Sequence, residues 1–371
     1  MIKFIDLAKQ RDALDCDLNE VIAKVISKDN FIMGEEVSRL EDELTKLTSS
    51  NCTCVANGTD ALLITLLAMG IKPGDEVIVP SFTWVSSAEV ICQVGATPVF
   101  IDISDDFNID INKIKTKITH RTKAIMAVSM FGRCPDLNKI QEIANQHKLF
   151  SIEDAAQSFG AKSHGNPSCS ILDVSTTSFF PSKPLGCYGD GGAIFSNNEA
   201  LLKKIKVIPK HGQTSRYNYV EIGLNSRLDT IQAAILSEKL KIFPEEIISR
   251  NRVAKLYEIG LNNLPFLSTP SIPTEASRSV WAQYTVLLDH DVAKHRQKIM
   301  TMLKDKGIPS ALYYPVPLHT SAVYQQYDSV DLDITIDISD RVLSLPMHPY
   351  LTDQEVEIVC LELAKIIRTI G

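Results

Sequence analysis

The chain has 371 residues, with 38 Lys and Arg against 45 Asp and Glu, a formal net charge of −7 and 44% hydrophobic residues. This length predicts two domains, or one large domain with an appendage, and the composition excludes a wholly disordered chain. The mild acidity argues against nucleic acid and anionic membrane surfaces as partners, because both favour clustered basic residues. No apolar run reaches the roughly 18–20 residues that span a bilayer. The N-terminus becomes charged too early for a signal peptide, so we expect a cytoplasmic protein.

The cysteines predict no metal or redox motif. All eight are scattered along the chain, and Cys52 and Cys54 are separated by one residue rather than two. No group of His, Cys, Asp and Glu has the spacing of metal ligands. We therefore expect reduced, buried thiols and no metal.

The first half of the chain alternates short apolar runs with amphipathic stretches. The predicted strands cover 54–56, 76–80, 97–103, 123–129 and 149–152, and the predicted helices cover 61–69, 86–94 and 135–147. Strand and helix at this spacing indicate βαβ units in an α/β fold with a mostly parallel sheet. Ligands of such sheets bind beyond the carboxyl ends of the strands. Residues 80–84, 129–131 and 154–157 should therefore surround one crevice.

The second half predicts a smaller α+β domain. Its expected helices cover 228–243 and 245–264, separated by Pro244, and 292–306, with a strand over 279–289. A last helix should begin near Thr352, where Thr352 and Glu355 have the pattern of a capping box. We place the boundary near residue 240, which gives a large domain of residues 1–240 and a small domain of residues 241–371.

A turn at Asn57-Gly58-Thr59-Asp60 precedes one of the predicted helices. A Gly-Thr turn that opens a helix offers free backbone N–H groups, a hydroxyl and the positive end of the helix dipole, which together suit a phosphate. The same residues also suit an ordinary N-cap, in which Thr59 or Asp60 satisfies the first turn.

Two charged residues stand in apolar surroundings. Asp154 follows a buried strand and precedes two alanines, so its carboxylate needs a cationic or protonated partner. An ion pair or the protonated ring nitrogen of a pyridine cofactor would meet that need. Lys183 lies among aromatic residues, prolines and glycines, where desolvation favours the neutral amine that Schiff-base chemistry requires. A surface lysine whose stem packs on the loop is the alternative.

Considered together, a phosphate-binding turn, a buried Asp and a sequestered Lys are the anchors of a pyridoxal phosphate site. Over nearly its whole length the sequence also resembles the DegT/DnrJ/EryC1 family of nucleotide-sugar aminotransferases. The motifs that carry the resemblance are 4–7, 56–62, 152–160, 178–192, 211–212, 223–229 and 313–319. The resemblance implies the aspartate-aminotransferase-like fold (fold type I of the pyridoxal phosphate enzymes) and a homodimer with shared active sites.

The resemblance assigns the cofactor site. Lys183 would bond covalently to pyridoxal 5'-phosphate and then move a proton between cofactor and substrate, while Asp154 would keep the ring nitrogen protonated. Trp84 would stack on the ring, and Gln157 would contact the region of its phenolic oxygen. The residues implied around the phosphate are Gly58, Thr59, Asp60, Ser178 and, from the neighbouring subunit, Asn225.

The resemblance also indicates where substrate binds. Arg227 is the candidate for a carboxylate clamp, because its planar fork suits bidentate pairing. Whether it holds the amino donor or a uronate stays open. Tyr313, Tyr314 and His319 are further candidates for substrate contact. Stretches 177–196 and 344–350 look like those of members that aminate UDP-2-acetamido-2-deoxy-3-oxo-D-glucuronate, although those have His-Tyr where this chain has Tyr313-Tyr314.

The expected function is therefore transfer of the amino group of glutamate to a keto group of a UDP-linked sugar, with 2-oxoglutarate as the co-product. Amination of C3 of the 3-oxo-glucuronate, in the biosynthesis of a bacterial surface polysaccharide such as an O-antigen, is the first choice. A 3-keto or 4-keto 6-deoxyhexose nucleotide is the alternative acceptor. A regulatory protein with a vestigial cofactor pocket is a remote alternative.

Overall fold

The computed structural model describes residues 1–274, 276–327 and 329–370. The α-helices of this part of the chain are α1 (Leu7–Asp12), α2 (Leu18–Ser27), α3 (Glu35–Thr48), α4 (Gly58–Met69), α5 (Ser86–Gln93), α6 (Ile111–Ile114), α7 (Leu137–His147), α8 (Glu199–Val207), α9 (Thr230–Leu261), α10 (His290–Ala293), α11 (Arg296–Asp305), α12 (Asp333–Arg341) and α13 (Asp353–Ile370). The strands are β1 (Asn51–Val55), β2 (Glu76–Pro80), β3 (Thr97–Ile101), β4 (Thr122–Val128), β5 (Phe150–Asp154), β6 (Lys162–Ser163), β7 (Asn166–Pro167), β8 (Val174–Ser178), β9 (Gly192–Ser196), β10 (Gln213–Ser215), β11 (Asn218–Tyr219), β12 (Leu267–Ser268), β13 (Tyr284–Leu288) and β14 (Val342–Leu345).

A seven-stranded sheet forms the centre of the first half, in the order β1-β9-β8-β5-β4-β2-β3. Strands β8, β5, β4, β2 and β3 run parallel to one another, and β9 runs antiparallel to both β1 and β8. The predicted mostly parallel sheet is confirmed. The carboxyl ends of β2, β4, β5 and β8 therefore lie at one edge.

Helices cover both faces of this sheet. All five residues of β2 are buried, as expected for a parallel strand with helices on each side. Val77 and Val79 pack in the core with α4 and α5, whereas Ile78 packs in a separate core with α7. Because successive side chains of a strand point to opposite faces, β2 contributes to two cores at once.

Helix α9 corrects the prediction of two helices separated at Pro244. It runs unbroken from Thr230 to Leu261 with Pro244 inside. A proline removes one backbone hydrogen bond, but residues before and after it, including Phe243 and Ile247, are buried in one core with the large sheet. This packing holds both halves of the helix in line.

A three-stranded antiparallel sheet, in the order β12-β13-β14, forms the centre of the last third of the chain. It shares a core with the second half of α9 and with α11 and α13. The predicted strand over 279–289 is shorter, Tyr284–Leu288, because Val280 and Ser279 instead hydrogen-bond to the carbonyl of Gly132. The predicted helix over 292–306 is divided into α10 and α11.

The capping box at the start of α13 is confirmed. The backbone N–H of Thr352 donates to Glu355 Oε2 at 2.8 Å, and the N–H of Glu355 donates to Thr352 Oγ1 at 3.1 Å.

Since α9 passes continuously through residue 240, no break in secondary structure marks the domain boundary there, and its position stays a prediction. All eight cysteines are free, and five of them are buried. Within the described ranges no helix is long and apolar enough to cross a bilayer.

Candidate active site

A cavity of about 460 Å³ opens at the carboxyl ends of the central strands. Its wall contains most of the residues predicted for the cofactor and substrate, which lie far apart in the sequence. They are Gly58, Thr59, Trp84, Asp154, Gln157, Ser178, Lys183, Tyr313 and Tyr314. Of the predicted crevice, residues 80–84 and 154–157 contribute to this wall, whereas 129–131 do not.

The start of α4 forms one end of the cavity. The N-cap is Asn57, whose Oδ1 accepts from the N–H of Asp60 at 2.8 Å, so neither Thr59 nor Asp60 is the cap. The first N–H groups of a helix have no intrahelical acceptor, which leaves those of Gly58 and Thr59 for a ligand. A Cβ on Gly58 would lie 2.8 Å from the Cβ of Ser178, so only glycine lets the helix start come this close to β8.

Asp154 is the carboxylate at the floor of the cavity, at the end of β5. Its Oδ2 accepts from Ser87 Oγ at 2.8 Å, and its Oδ1 accepts from the N–H of Ala156 at 3.1 Å. Burial raises the pKa of Asp154, although these two hydrogen bonds and the nearby Lys183 oppose the rise. A protonated ring nitrogen beside this carboxylate would supply the compensating positive charge.

Lys183 lies on the lysine loop, which we define as residues 179–191 between β8 and β9. Its N–H donates to the carbonyl of Phe180 at 2.8 Å. Burial lowers the pKa of the Lys183 amine, with only the opposing charge of Asp154 favouring the cation. The neutral amine needed for attack on a carbonyl carbon is therefore favoured at this position.

Gln157 and two aromatic residues complete the wall. The Gln157 Oε1 accepts from the N–H of Phe131 at 2.8 Å, and its Nε2 donates to the hydroxyl of Tyr314 at 3.1 Å. Trp84 keeps 58% of its surface exposed in the cavity wall, with its ring centroid 6.2 Å from that of Tyr314. An exposed indole in a cavity offers a flat apolar face to a planar ring.

Asn225 and Arg227 lie in a second cavity of about 440 Å³. Asn57 and Asp190 belong to the walls of both cavities, so the two are adjacent within one chain. The Nε of Arg227 is buried without a hydrogen-bond partner. A buried guanidinium nitrogen without an acceptor is costly, which makes Arg227 a position where an anion would bind favourably.

Two further predicted residues, Asp60 and His319, lie outside both cavities. Asp60 is on the first turn of α4 but not in the wall. His319 is buried, its Nδ1 is 2.7 Å from Ser81 Oγ, and its N–H donates to the same oxygen at 3.1 Å. These contacts attach the segment after the Tyr-Tyr pair to the end of β2.

Sequence reasoning missed Ser87 and Gln283. Ser87 holds Asp154, but a serine in the first turn of a predicted helix is common and gives no signal of this contact. Gln283 is in the wall of the cofactor cavity, and its Oε1 is buried without a partner. It lies in a stretch predicted to be strand, where alternation alone does not distinguish a wall residue from a core residue.

These residues fit pyridoxal phosphate. The start of α4 and Ser178 suit a phosphate, and Asp154 suits a protonated ring nitrogen. All of these line the same cavity as the desolvated amine of Lys183. A parallel sheet that presents these groups at its carboxyl edge, followed by a small α+β unit, is the arrangement of fold type I pyridoxal phosphate enzymes.

Comparisons with known proteins agree with this class. The model of the DegT/DnrJ/EryC1/StrS aminotransferase family matches residues 12–364, and the chain belongs to this family. It is 45% identical over 362 residues to the UDP-2-acetamido-2-deoxy-3-oxo-D-glucuronate aminotransferase of Pseudomonas aeruginosa, covering 97% of this chain and 99% of the relative.

Two solved structures are similar to this chain in both sequence and fold. A DegT DnrJ EryC1 StrS aminotransferase from Brucella abortus is 39% identical with a TM-score of 0.91, covering 100% of this chain and 99% of its own. NtdA from Bacillus subtilis, with bound cofactor PMP, is 30% identical with a TM-score of 0.89, covering 98% of this chain and 83% of its own. The chain is thus a pyridoxal-phosphate-dependent sugar aminotransferase with the fold of its class.

Proposed function

We propose that this aminotransferase carries the amino group of glutamate to C3 of UDP-2-acetamido-2-deoxy-3-oxo-D-glucuronate. The observation that carries the proposal is the 45% identity to the Pseudomonas aeruginosa enzyme of that activity over 97% of the chain. The product would be a diamino uronate nucleotide for a bacterial surface polysaccharide of the O-antigen type.

The residues of the cavity have separate roles in this proposal. Pyridoxal phosphate, when bound, accepts the amino group of the donor and delivers it to the keto sugar. Asp154 holds a proton at the ring nitrogen through its own negative charge, and Ser87 orients that carboxylate. Lys183 binds the cofactor and carries the proton at its Nζ, since burial lowers its pKa. Trp84 would stack on the ring and Gln157 would contact the region of its phenolic oxygen, and both residues line the cavity.

Arg227 is proposed as the carboxylate clamp. Its unpartnered Nε supports this role, because a carboxylate would supply the missing acceptor. Both the glutamate donor and the uronate acceptor carry a carboxylate. In a ping-pong reaction the donor leaves before the acceptor binds, so one arginine can hold the carboxylate of each in turn. Tyr313 and Tyr314 line the cavity beside the expected sugar.

The proposed assembly is a cytoplasmic homodimer that shares its sites. Residues of the segment 217–222 expose apolar surface, with Tyr217 72%, Tyr219 59% and Ile222 93% exposed. Such surface on the segment that precedes Asn225 and Arg227 in the chain suits contact with a second copy. Asn225 and Arg227 would then serve the pocket of the neighbouring subunit.

The second candidate acceptor is a 3-keto or 4-keto 6-deoxyhexose nucleotide. The feature that bears on it is the Tyr313-Tyr314 pair, since the resemblance implies a His-Tyr pair in the members that aminate the 3-oxo-glucuronate. A regulatory protein without activity is disfavoured, because Asp154, Gln157, Ser178 and Lys183 all lie in one wall.

The reverse reaction tests the proposal. The holoenzyme is incubated with 2-oxoglutarate and, separately, with UDP-linked 3-amino uronate, 3-amino 6-deoxyhexose and 4-amino 6-deoxyhexose nucleotides, and glutamate is measured by mass spectrometry. We expect glutamate with the 3-amino uronate. Glutamate only with a 6-deoxyhexose amine would replace the proposal with the second candidate, and none with any sugar would reject both.

A further inference from the structure

Helix α9 contacts the lysine loop through two side chains on one face. Gln232 and Lys239 are seven residues apart, which is about two turns, so they project from the same side of the helix. Gln232 Oε1 accepts from the N–H of Tyr188 at 2.8 Å, and its Nε2 donates to the Tyr188 carbonyl at 3.2 Å. Lys239 Nζ donates to the carbonyl of Gly186 at 2.6 Å.

Lys239 is unusual because its side chain is completely buried although it carries an amine. Its Nζ also lies 4.1 Å from the centroid of the Tyr188 ring, a cation–π contact with the same loop. Burying an ammonium group is costly unless it is well paired. An apolar side chain of similar length would fill this volume at lower cost, so simple packing does not account for a lysine here.

A buried acid lies further along the same helix face. Glu246, seven residues on, is buried and accepts from Gln10 Nε2 at 2.9 Å and from the hydroxyl of Tyr350. Burial lowers the pKa of Lys239 to about 8, with Glu246 opposing that shift. The helix therefore holds a buried acid and a buried base on the face that meets the loop.

Backbone hydrogen bonds close the lysine loop between Lys183 and Gly186 into a compact turn. The N–H of Lys183 and the N–H of Cys187 are both bonded inside the loop, to the carbonyls of Phe180 and Phe179 at 2.8 Å each. A Cβ on Gly186 would lie 2.6 Å from the carbonyl oxygen of Phe180, so the turn is closed tightly on itself. A compact turn of this kind moves as a unit.

We propose that Lys239 is a positioning residue for Lys183. By holding the Gly186 carbonyl and the Tyr188 ring, its ammonium group fixes the turn that presents the Lys183 side chain to the cavity. The inference rests on the proposed role of Lys183 as the lysine that binds the cofactor. Lys239 itself does not line the cavity.

The test compares three variants of the holoenzyme. Lys239→Met keeps the length of the side chain and removes its charge and donors, and Lys239→Arg keeps both. Lys241→Met is the control, because Lys241 is on the same helix but is exposed and pairs with Glu238 on the surface. For each variant we would measure kcat, KM for glutamate, thermal stability, and the pH midpoint at which the visible band of the bound cofactor titrates.

We expect kcat of Lys239→Met to fall by about 10- to 100-fold while KM for glutamate stays close to that of the wild type. The pH midpoint should rise, because a looser loop lets water stabilise the protonated nitrogen of Lys183. Lys239→Arg should restore part of kcat, and Lys241→Met should match the wild type. A Lys239→Met protein with unchanged kcat and midpoint overturns the inference, even if its melting temperature is lower.

If Lys239→Met does not fold, Gln232→Leu replaces it, since Gln232 is only half-buried. A raised midpoint in that variant supports control of Lys183 by α9, and an unchanged midpoint overturns it. Its kcat is not used, because Gln232 also lines the cavity that contains Arg227. Reductive trapping of the cofactor separates this result from the proposed function. Trapping on a lysine other than Lys183 would reject the role of Lys183 itself, whatever Lys239 does.

Discussion

Gln157 donates a hydrogen bond of 3.1 Å to the hydroxyl of Tyr314, which joins the turn after β5 to the Tyr-Tyr pair near the C-terminal third of the chain. The amide is held in this orientation because its oxygen accepts from the N–H of Phe131. This hydrogen bond therefore connects the cavity wall at the end of β5 to the wall that should meet the sugar.

Removing the Tyr314 hydroxyl tests this hydrogen bond between Gln157 and Tyr314. Tyr314→Phe leaves the buried Gln157 Nε2 without its acceptor, at a cost of about 1–3 kcal/mol in the free energy of unfolding. We also expect kcat to fall by about 10-fold, because Gln157 would lose its fixed orientation. Tyr313→Phe is the matched control for stability. Equal free energies of unfolding for the two variants, measured with denaturant, would contradict the prediction.

Asp154→Asn should nearly abolish turnover while preserving the fold. The amide keeps the shape of the carboxylate but not the charge that holds a proton at the ring nitrogen. We expect kcat to fall by about 10³-fold or more. Cofactor absorbance would confirm that the variant is loaded. Near wild-type turnover in a loaded variant would mean that Asp154 is only a structural acceptor for Ser87.

Gly58→Ala should weaken cofactor binding rather than the fold as a whole. Its methyl group would meet the Ser178 Cβ at 2.8 Å, so the start of α4 must move away from β8. We expect the dissociation constant for pyridoxal phosphate, measured by fluorescence titration of the apoprotein, to rise by at least about 10-fold. In a Ser178→Gly background, which lacks both the facing Cβ and the hydroxyl, Gly58→Ala should cost less affinity than it does in the wild type. Unchanged binding in the single variant would place the phosphate elsewhere.

The shared site is tested by mixing two inactive homodimers. Lys183→Ala and Arg227→Ala each disable every pocket of their own dimers. If Arg227 serves the neighbouring subunit, random reassortment leaves about a quarter of all pockets intact by symmetry counting. Co-refolding should therefore restore about that share of wild-type activity. A mixture that stays inactive while a wild-type control recovers would assign Arg227 to the cavity of its own chain, which the shared wall residues Asn57 and Asp190 also permit.

Much of this architecture follows from local sequence. The apolar run of β2 was predicted to the residue, and the Thr352–Glu355 capping box has the expected hydrogen bonds. Because proline removes a backbone hydrogen bond, the sequence predicted a helix break at Pro244. Long-range packing of Phe243 and Ile247 overrides that local preference. The same limit applies to Ser87 and Lys239, because their contacts join positions far apart in the chain.

The most direct test of the account is borohydride reduction of the loaded protein, followed by peptide mass spectrometry. We predict a phosphopyridoxyl adduct on the peptide that contains Lys183. Prior incubation with excess glutamate should abolish the adduct, because transfer of the amino group frees the lysine. An adduct on Lys162, Lys210 or another lysine, or labelling of Lys183 that glutamate leaves unchanged, would contradict the account.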